Sequence, residues 1–166
     1  MTKLVLYTTL DGGSNFLMAY RRLVKLCSSE LLLVAHRMDM TFLRLLSEDL
    51  RALTTKKATF RVLLSSTHLE KTRSAIKYLT ELCPRVELRI SDRIHAKALV
   101  SDRRLVLMGS ANAAGDGLGV GSEWRLPDHA WDAPNFEIGL TLNDVQVAQQ
   151  IAKLILACWE RASSLE

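Results

Sequence analysis

A regular alternation of short apolar runs and longer amphipathic stretches fills the first half of this 166-residue sequence. Residues 31–35 and 60–64 are continuous apolar runs, which are typical of strands covered on both faces of a sheet. Apolar residues recur at helical spacing over residues 41–55 and 70–82, and Pro84 ends the second of these stretches. Strands that alternate with helices indicate a parallel sheet with helical crossovers, so the predicted fold class is α/β.

The second half of the sequence predicts a different arrangement. Three strands at residues 86–90, 94–101 and 105–109 are separated only by short turns, and a strand at 136–142 precedes a closing helix over 144–161. We expect that helix to turn six residues toward the core: Ala148, Ile151, Leu154, Ile155, Cys158 and Trp159.

The length suits one domain that spans residues 1–166, with a long Gly- and Pro-rich loop at 113–134. No apolar run reaches the roughly 20 residues of a membrane-spanning helix. The N-terminus also lacks the apolar core of a signal peptide, so we expect a cytoplasmic protein with no membrane partner. The final pair, Leu165 and Glu166, is typical of a tag remnant, which would make the chain part of a longer protein with further domains.

Cysteines and charge say less about function. Cys27, Cys83 and Cys158 are far apart among apolar neighbours, which predicts buried thiols in a reducing compartment and not a metal site. The chain carries 22 Lys and Arg against 18 Asp and Glu, a net charge of +4. This mild excess permits a phosphate-rich partner without demonstrating one.

One group of polar residues stands out near the middle of the chain. Residues two apart on a strand face the same way, so His95 and Lys97 are expected to project from one face. Asp102 falls where that strand turns, and Ser110 and Asn112 follow the next strand after Gly109. An imidazole, an ammonium, a hydroxyl and a carboxamide would then converge as a pocket for a tetrahedral oxyanion, with a nucleophile or base beside it. Taken singly, each of these residues is also an ordinary strand or turn residue.

The pattern His-x-Lys-x4-Asp-x6-Gly-Ser-x-Asn resembles the HKD signature of the phospholipase D superfamily at all six fixed positions. The later strand at residues 135–139, Asn-Phe-Glu-Ile-Gly, and the closing helix also resemble that family's domain. The resemblance implies a phospholipase D-like mixed β-sheet flanked by helices in a single domain. It also implies a phosphodiesterase that uses neither a metal nor a cofactor.

The resemblance assigns a role to each motif residue. His95 would attack phosphorus and form a phosphohistidine, which a second histidine would resolve after protonating the leaving group. Lys97, Ser110 and Asn112 would hold the non-bridging oxygens of the phosphate. Asp102 belongs to the catalytic motif, and we interpret it as tying the turn rather than touching substrate.

A carboxylate usually orients a nucleophilic histidine by accepting its other N–H group. Glu137, at the entry to the late strand, is the preferred candidate for this role, and Glu123 in the 113–134 loop is the alternative. An ordinary strand-end carboxylate is an equally acceptable interpretation of Glu137.

The mechanism needs two histidines, but the chain supplies one motif. His36, His68 and His129 have no lysine two residues later. A twofold homodimer with both copies of His95 facing across the axis would supply the second histidine. The resemblance implies the same arrangement, because small nucleases of the superfamily are dimers of this kind.

We interpret the chain as a metal-independent nuclease that acts on nucleic acid, with DNA preferred. The first alternative is a phospholipid hydrolase or phosphatidyltransferase of the same family. The second is a catalytically silent nucleic-acid-binding module, which the intact pair of His95 and Lys97 disfavours.

Overall fold

The computed structural model describes residues 3–8, 14–115, 117–118 and 137–165, with residues 14 and 15 described only in their backbone. The strands are β1 (Lys3–Thr8), β2 (Glu30–Ala35), β3 (Thr59–Ser65), β4 (Val86–Ser91), β5 (Ala98–Ser101), β6 (Leu105–Gly109), β7 (Ile138–Asn143) and β8 (Ser163–Ser164). The helices are α1 (Ser14–Leu26), α2 (Met40–Leu45), α3 (Ser47–Lys56), α4 (Leu69–Leu82) and α5 (Val145–Arg161). The described strands form one mixed sheet, as expected, and their order is β1-β7-β6-β5-β2-β3-β4-β8.

The parallel part of the sheet comes from the alternating first half of the chain. Strands β2, β3 and β4 lie side by side and parallel, and helices α2 with α3, then α4, make the two crossovers. Five of the six residues of β2 are buried, because helices cover both faces of the sheet at this point. The apolar runs therefore predicted both the strands and their location correctly.

The antiparallel part contains one correction. Strand β5 runs antiparallel to β2 and β6, and β7 continues the antiparallel order toward β1. The predicted strand at 94–101 is wrong in its first half, since only Ala98–Ser101 is strand. The register pairs Ala98 with Val34, one residue before β2 ends, so residues 94–96 lie beyond the end of β2.

The helix predicted over residues 41–55 is divided in two. The chain turns at Leu46, which has φ −104° and ψ 4°, and α3 starts at the next residue. Leu46 is fully buried there, as are Leu43 and Leu50 on either side. The turn lets both short helices direct apolar residues toward the same face of the sheet, a tertiary effect that helical periodicity cannot show.

The two faces of the sheet are covered unequally. Helices α1 to α4 pack on one face over the larger core, and α5 is the one helix among the described residues that covers the other face. Of the six α5 residues expected to point inward, Ala148, Ile155 and Trp159 are buried and Ile151 is half-buried. The prediction is wrong for Leu154 and Cys158, which are exposed.

Leu154 and Cys158 are exposed because α5 contacts the sheet along a narrow stripe of side chains. That stripe consists of Ala148, Ala152, Ile155 and Trp159. Cys27 and Cys83 are buried free thiols, as predicted. Within the described residues, no helix combines the length and the apolar character that crossing a membrane requires.

Candidate active site

The polar residues of the site lie at one edge of the sheet because of the strand directions. Strands β2, β3 and β6 end at this edge, whereas β5 and β7, which are antiparallel to their neighbours, begin there. The residues placed at this edge by the ends of those strands are His36, His68, His95, Lys97, Ser110, Asn112 and Glu137. The ends of five strands thus contribute side chains to one region.

His95 and Lys97 form the exposed centre of the group. Lys97 Nζ lies 3.4 Å from His95 Nδ1 and donates a hydrogen bond of 2.9 Å to the His95 carbonyl oxygen. His95 is exposed and Lys97 is half-buried. Partial burial lowers the pKa of Lys97, and the negative charge of Glu137 acts in the opposite direction. The predicted pairing of these two side chains is therefore present, although the segment that holds them is not a strand.

Glu137 is a buried carboxylate fixed to the motif through Ser110. The Ser110 hydroxyl donates to Glu137 Oε2, and its oxygen accepts from the Ile138 N–H at 3.1 Å. Glu137 is 6% exposed, and its charge adds to burial in raising the pKa of Tyr20. The predicted orienting role of Glu137 toward His95 stays a prediction, and the alternative, Glu123, lies outside the described residues.

Gly109 brings Ser110 and Glu137 together by allowing β6 and β7 to approach closely. A Cβ atom at Gly109 would lie 2.7 Å from the Gly139 Cα and would collide with the Ile138 carbonyl oxygen. The lack of a side chain at Gly109 is therefore what this position requires. Any larger residue would separate the two strands at the site itself.

Asn112 follows Ser110 by two residues and is half-buried. Its Oδ1 atom is buried and has no hydrogen-bond partner among the described residues. A buried acceptor without a partner costs about 1–3 kcal/mol, so packing alone does not account for an amide at this position. Its predicted contact with phosphate remains a prediction.

Asp102 lies at the opposite end of β5 from His95 and Lys97. Its carboxylate accepts hydrogen bonds from the backbone N–H groups of Ser28, Ser29 and Glu30 and from both serine hydroxyls, at 2.7–2.9 Å. Burial raises the pKa of this carboxyl, but these hydrogen bonds outweigh it and hold the pKa well below its usual range. Asp102 therefore fastens the β5–β6 turn to the start of β2, as we interpreted it from the sequence.

Two histidines beside His95 were not predicted as part of the site. The ring of His36 lies 4.7 Å from that of His95, and the ring of His68 lies 4.6 Å from that of His36. His36 Nδ1 lies 3.0 Å from the Ile94 carbonyl oxygen. A carbonyl oxygen can only accept, so Nδ1 is the donor in this hydrogen bond. Each of them follows a buried parallel strand, and that position is the signal that was available in the sequence.

The described side chains around His95 are not arranged as the ligands of a metal ion. In the part of the chain that the structure describes, no three His, Cys, Asp or Glu side chains are grouped as ligands of a metal ion would be. The three imidazoles instead contact one another ring to ring, at interplanar angles of 89° and 50°.

The chain was compared with known proteins. Residues 25–159 match the family described as "Cardiolipin synthase, PLD-like domain". No curated protein matches the chain in sequence. The solved structure of Nuc from Salmonella typhimurium, described as a phospholipase D family member, matches with a TM-score of 0.77 at 12% identity. The match covers 100% of this chain and 99% of that one.

Two further solved structures share the fold. NucT from Helicobacter pylori matches with a TM-score of 0.78 at 12% identity, over 99% of this chain and 100% of that one. The archaeal chromatin protein TrmBL2 matches with a TM-score of 0.65 at 18% identity, over 98% of this chain and 54% of that one. The family match over most of the chain agrees with the mixed sheet and with the motif at its edge. The chain therefore belongs to the phospholipase D superfamily, whose members are phosphodiesterases.

Proposed function

We propose that this chain is a phosphodiesterase that cleaves DNA, without a metal ion, through a covalent phosphohistidine on His95. The observation that supports this most directly is the exposed His95 imidazole, with the Lys97 ammonium 3.4 Å from its Nδ1. Attack on phosphorus by Nε2 requires the imidazole tautomer that carries its proton on Nδ1, while the Lys97 ammonium neutralises charge that develops on the phosphate oxygens. The P–O bond breaks, the leaving oxygen takes a proton, and water later cleaves the P–N bond.

The choice of DNA rests on charge and on likeness. The net charge of +4 and the basic residues around His95 suit a polyanion. Nuc and NucT match along their whole length, and the structure of TrmBL2 is described as showing a novel mode of DNA binding. The charge and the structural matches together support a nucleic-acid substrate.

The proton for the leaving group requires a second histidine on the far side of the phosphate. In an in-line displacement the attacking and leaving atoms lie on opposite sides of phosphorus. His36 packs against the His95 ring itself, 4.7 Å away, so it is on the same side as the nucleophile. We therefore infer that a second copy of the chain supplies the acid from its own His95.

An apolar face beside Lys97 supports this homodimer. Ile151, Leu154 and Cys158 form a second apolar stripe on α5, next to the one buried on the sheet. With Ile138 they line a groove of about 570 Å³ that reaches Lys97. Leu154 is 67% exposed and Ile138 54% exposed, and contiguous exposed apolar surface of this kind is typical of an interface.

The same groove favours one other candidate function. An apolar groove that reaches Lys97, the proposed phosphate ligand, is also suited to the acyl chain of a phospholipid. The matched family is described by the name of cardiolipin synthase. A phospholipid hydrolase or phosphatidyltransferase is therefore the second candidate.

The substrate and the metal requirement are tested together. The protein is incubated in EDTA with plasmid DNA, a single-stranded oligodeoxynucleotide, RNA and phosphatidylcholine vesicles. We expect cleavage of DNA at an undiminished rate, because His95 and Lys97 supply the nucleophile and the positive charge. Hydrolysis of the lipid with nucleic acid left intact would favour the second candidate. Loss of activity that a divalent ion restores would contradict the metal-independent mechanism.

The shared site is tested by mixing chains. Wild-type protein is allowed to exchange subunits with a threefold excess of the His95→Ala variant. The activity per wild-type chain should fall to about a quarter, because about one wild-type chain in four then has a wild-type partner and only dimers with two copies of His95 turn over. Light scattering should give about twice the 18.6 kDa of one chain. Full activity in isolated heterodimers, or in a monomer, would contradict the proposal.

A further inference from the structure

A row of basic side chains extends from His95 along the edge of the sheet. His36 follows β2 and contacts the His95 ring, and His68 follows β3 and contacts the His36 ring edge-on at 4.6 Å. Arg37 is next to His36 in sequence, and Lys71 lies in the first turn of α4. The row therefore begins at the proposed nucleophile and runs away from Lys97, across β2 to β3.

The positive charges of the row act together on His68. Partial burial lowers the pKa of His68, and the positive charges of His36, Lys71 and Arg37 lower it further. Two acids lie near the row along the chain. Asp39 accepts from the backbone N–H groups of Phe42 and Gly115, each at 2.9 Å, and Glu70, beside Lys71, is exposed to solvent. A bound anion would relieve the mutual repulsion of these groups.

The charge around His95 is also asymmetric. On the side of β6 and β7 the residue beside the motif is the carboxylate Glu137, which accepts from Ser110. On the side of β2 and β3 the charges that act on His68 are all positive. A polyanion bound at Lys97 is thus repelled on one side and attracted on the other, which gives its path a direction.

We propose that His36, His68 and Lys71 form a subsite for the phosphate next to the one that His95 attacks in a polynucleotide strand. This inference rests on the proposed nuclease function and adds a second phosphate to it. His68 is two ring contacts, of 4.7 and 4.6 Å, from His95, so the row is short enough for one strand to place the attacked phosphate and the next one on it. A substrate with a single phosphodiester would leave the subsite unused.

The test compares a substrate that has neighbouring phosphates with one that has none. His68→Gln and Lys71→Ala are assayed on a short single-stranded oligodeoxynucleotide and on bis(p-nitrophenyl) phosphate. These two residues are chosen because their substitution leaves the His36–His95 contact in place. Lys77→Ala, an exposed lysine two turns further along α4, is the matched control.

For each variant we expect kcat/KM on the oligonucleotide to fall about tenfold more than on the single diester, mainly through KM. The slope of log kcat/KM against log salt should become less steep by about 1 for Lys71→Ala on the oligonucleotide, whereas Lys77→Ala should leave it unchanged. Equal losses on both substrates, or no loss on either, would overturn the subsite. A wild-type protein that hydrolyses the single diester or a lipid but no nucleic acid would instead overturn the proposed function, and the subsite with it.

Discussion

Replacement of His95 by alanine should abolish turnover and leave the protein folded. His95 is exposed, and its described contacts are the ring of His36 and the Lys97 ammonium, so the core loses no buried group. Removing a covalent nucleophile from a preorganised site costs on the order of 10⁵-fold or more in kcat. The expected result is therefore a folded protein with no measurable cleavage.

Two measurements check this prediction. Thermal unfolding followed by circular dichroism should give the same midpoint for His95→Ala as for the wild type. Wild-type protein quenched in alkali during cleavage of a labelled oligonucleotide should carry covalently bound label, because phosphohistidine survives alkaline conditions, and the variant should carry none. A variant that cleaves at the wild-type rate would show that His95 is not the nucleophile, and an unfolded variant would contradict its exposed position outside the core.

The arrangement of His95, Lys97 and Ser110 could be predicted because these residues belong to one local unit. Strands β5 and β6 form a hairpin, so the spacing along the chain largely determines which side chains end at the same edge. The role of Asp102 followed from the same hairpin, since a carboxylate at the turn can reach backbone N–H groups. Its partners at Ser28 and Ser29 are more than 70 residues away and were not foreseen.

The row of histidines could not be predicted, because it depends on the order of strands in the sheet. His36 contacts His95 only because β2 lies between β5 and β3. The apolar runs indicated that β2 and β3 are parallel neighbours, but nothing in their pattern says which face or edge the later hairpin joins. The spacing of residues in the motif is local, whereas the surroundings of His95 are set by tertiary structure.

The errors in secondary structure have the same origin. Helical periodicity continues through Leu46, and only packing against the sheet breaks the helix there. Leu154 and Cys158 lie on an apolar stripe, and periodicity cannot tell a stripe that meets the sheet from one that meets a groove. That second stripe is the surface on which we place the partner copy, so the error in burial coincides with the proposed interface.

Lys97→Ala should lower kcat/KM by about 10²–10³-fold, the effect of removing one preorganised group that stabilises charge in a transition state. The ammonium is held 2.9 Å from the His95 carbonyl and 3.4 Å from its Nδ1, so it is positioned before substrate binds. Steady-state cleavage of an oligonucleotide measures the loss. Lys97→Met separates the charge from the packing, because it keeps an unbranched stem in the apolar groove that Lys97 lines.

The pH dependence distinguishes an electrostatic role of Lys97 from a structural one. Burial lowers the Lys97 pKa, so the ammonium loses its proton at a lower pH than an ordinary lysine does. Since the charged form is the active one, kcat/KM of the wild type should fall on the alkaline side as Lys97 deprotonates. Lys97→Arg stays protonated throughout this range and should retain part of the activity while losing the alkaline decline. If Lys97→Met were as active as the wild type, or if the alkaline decline persisted in Lys97→Arg, the charge of Lys97 would not be what stabilises the transition state.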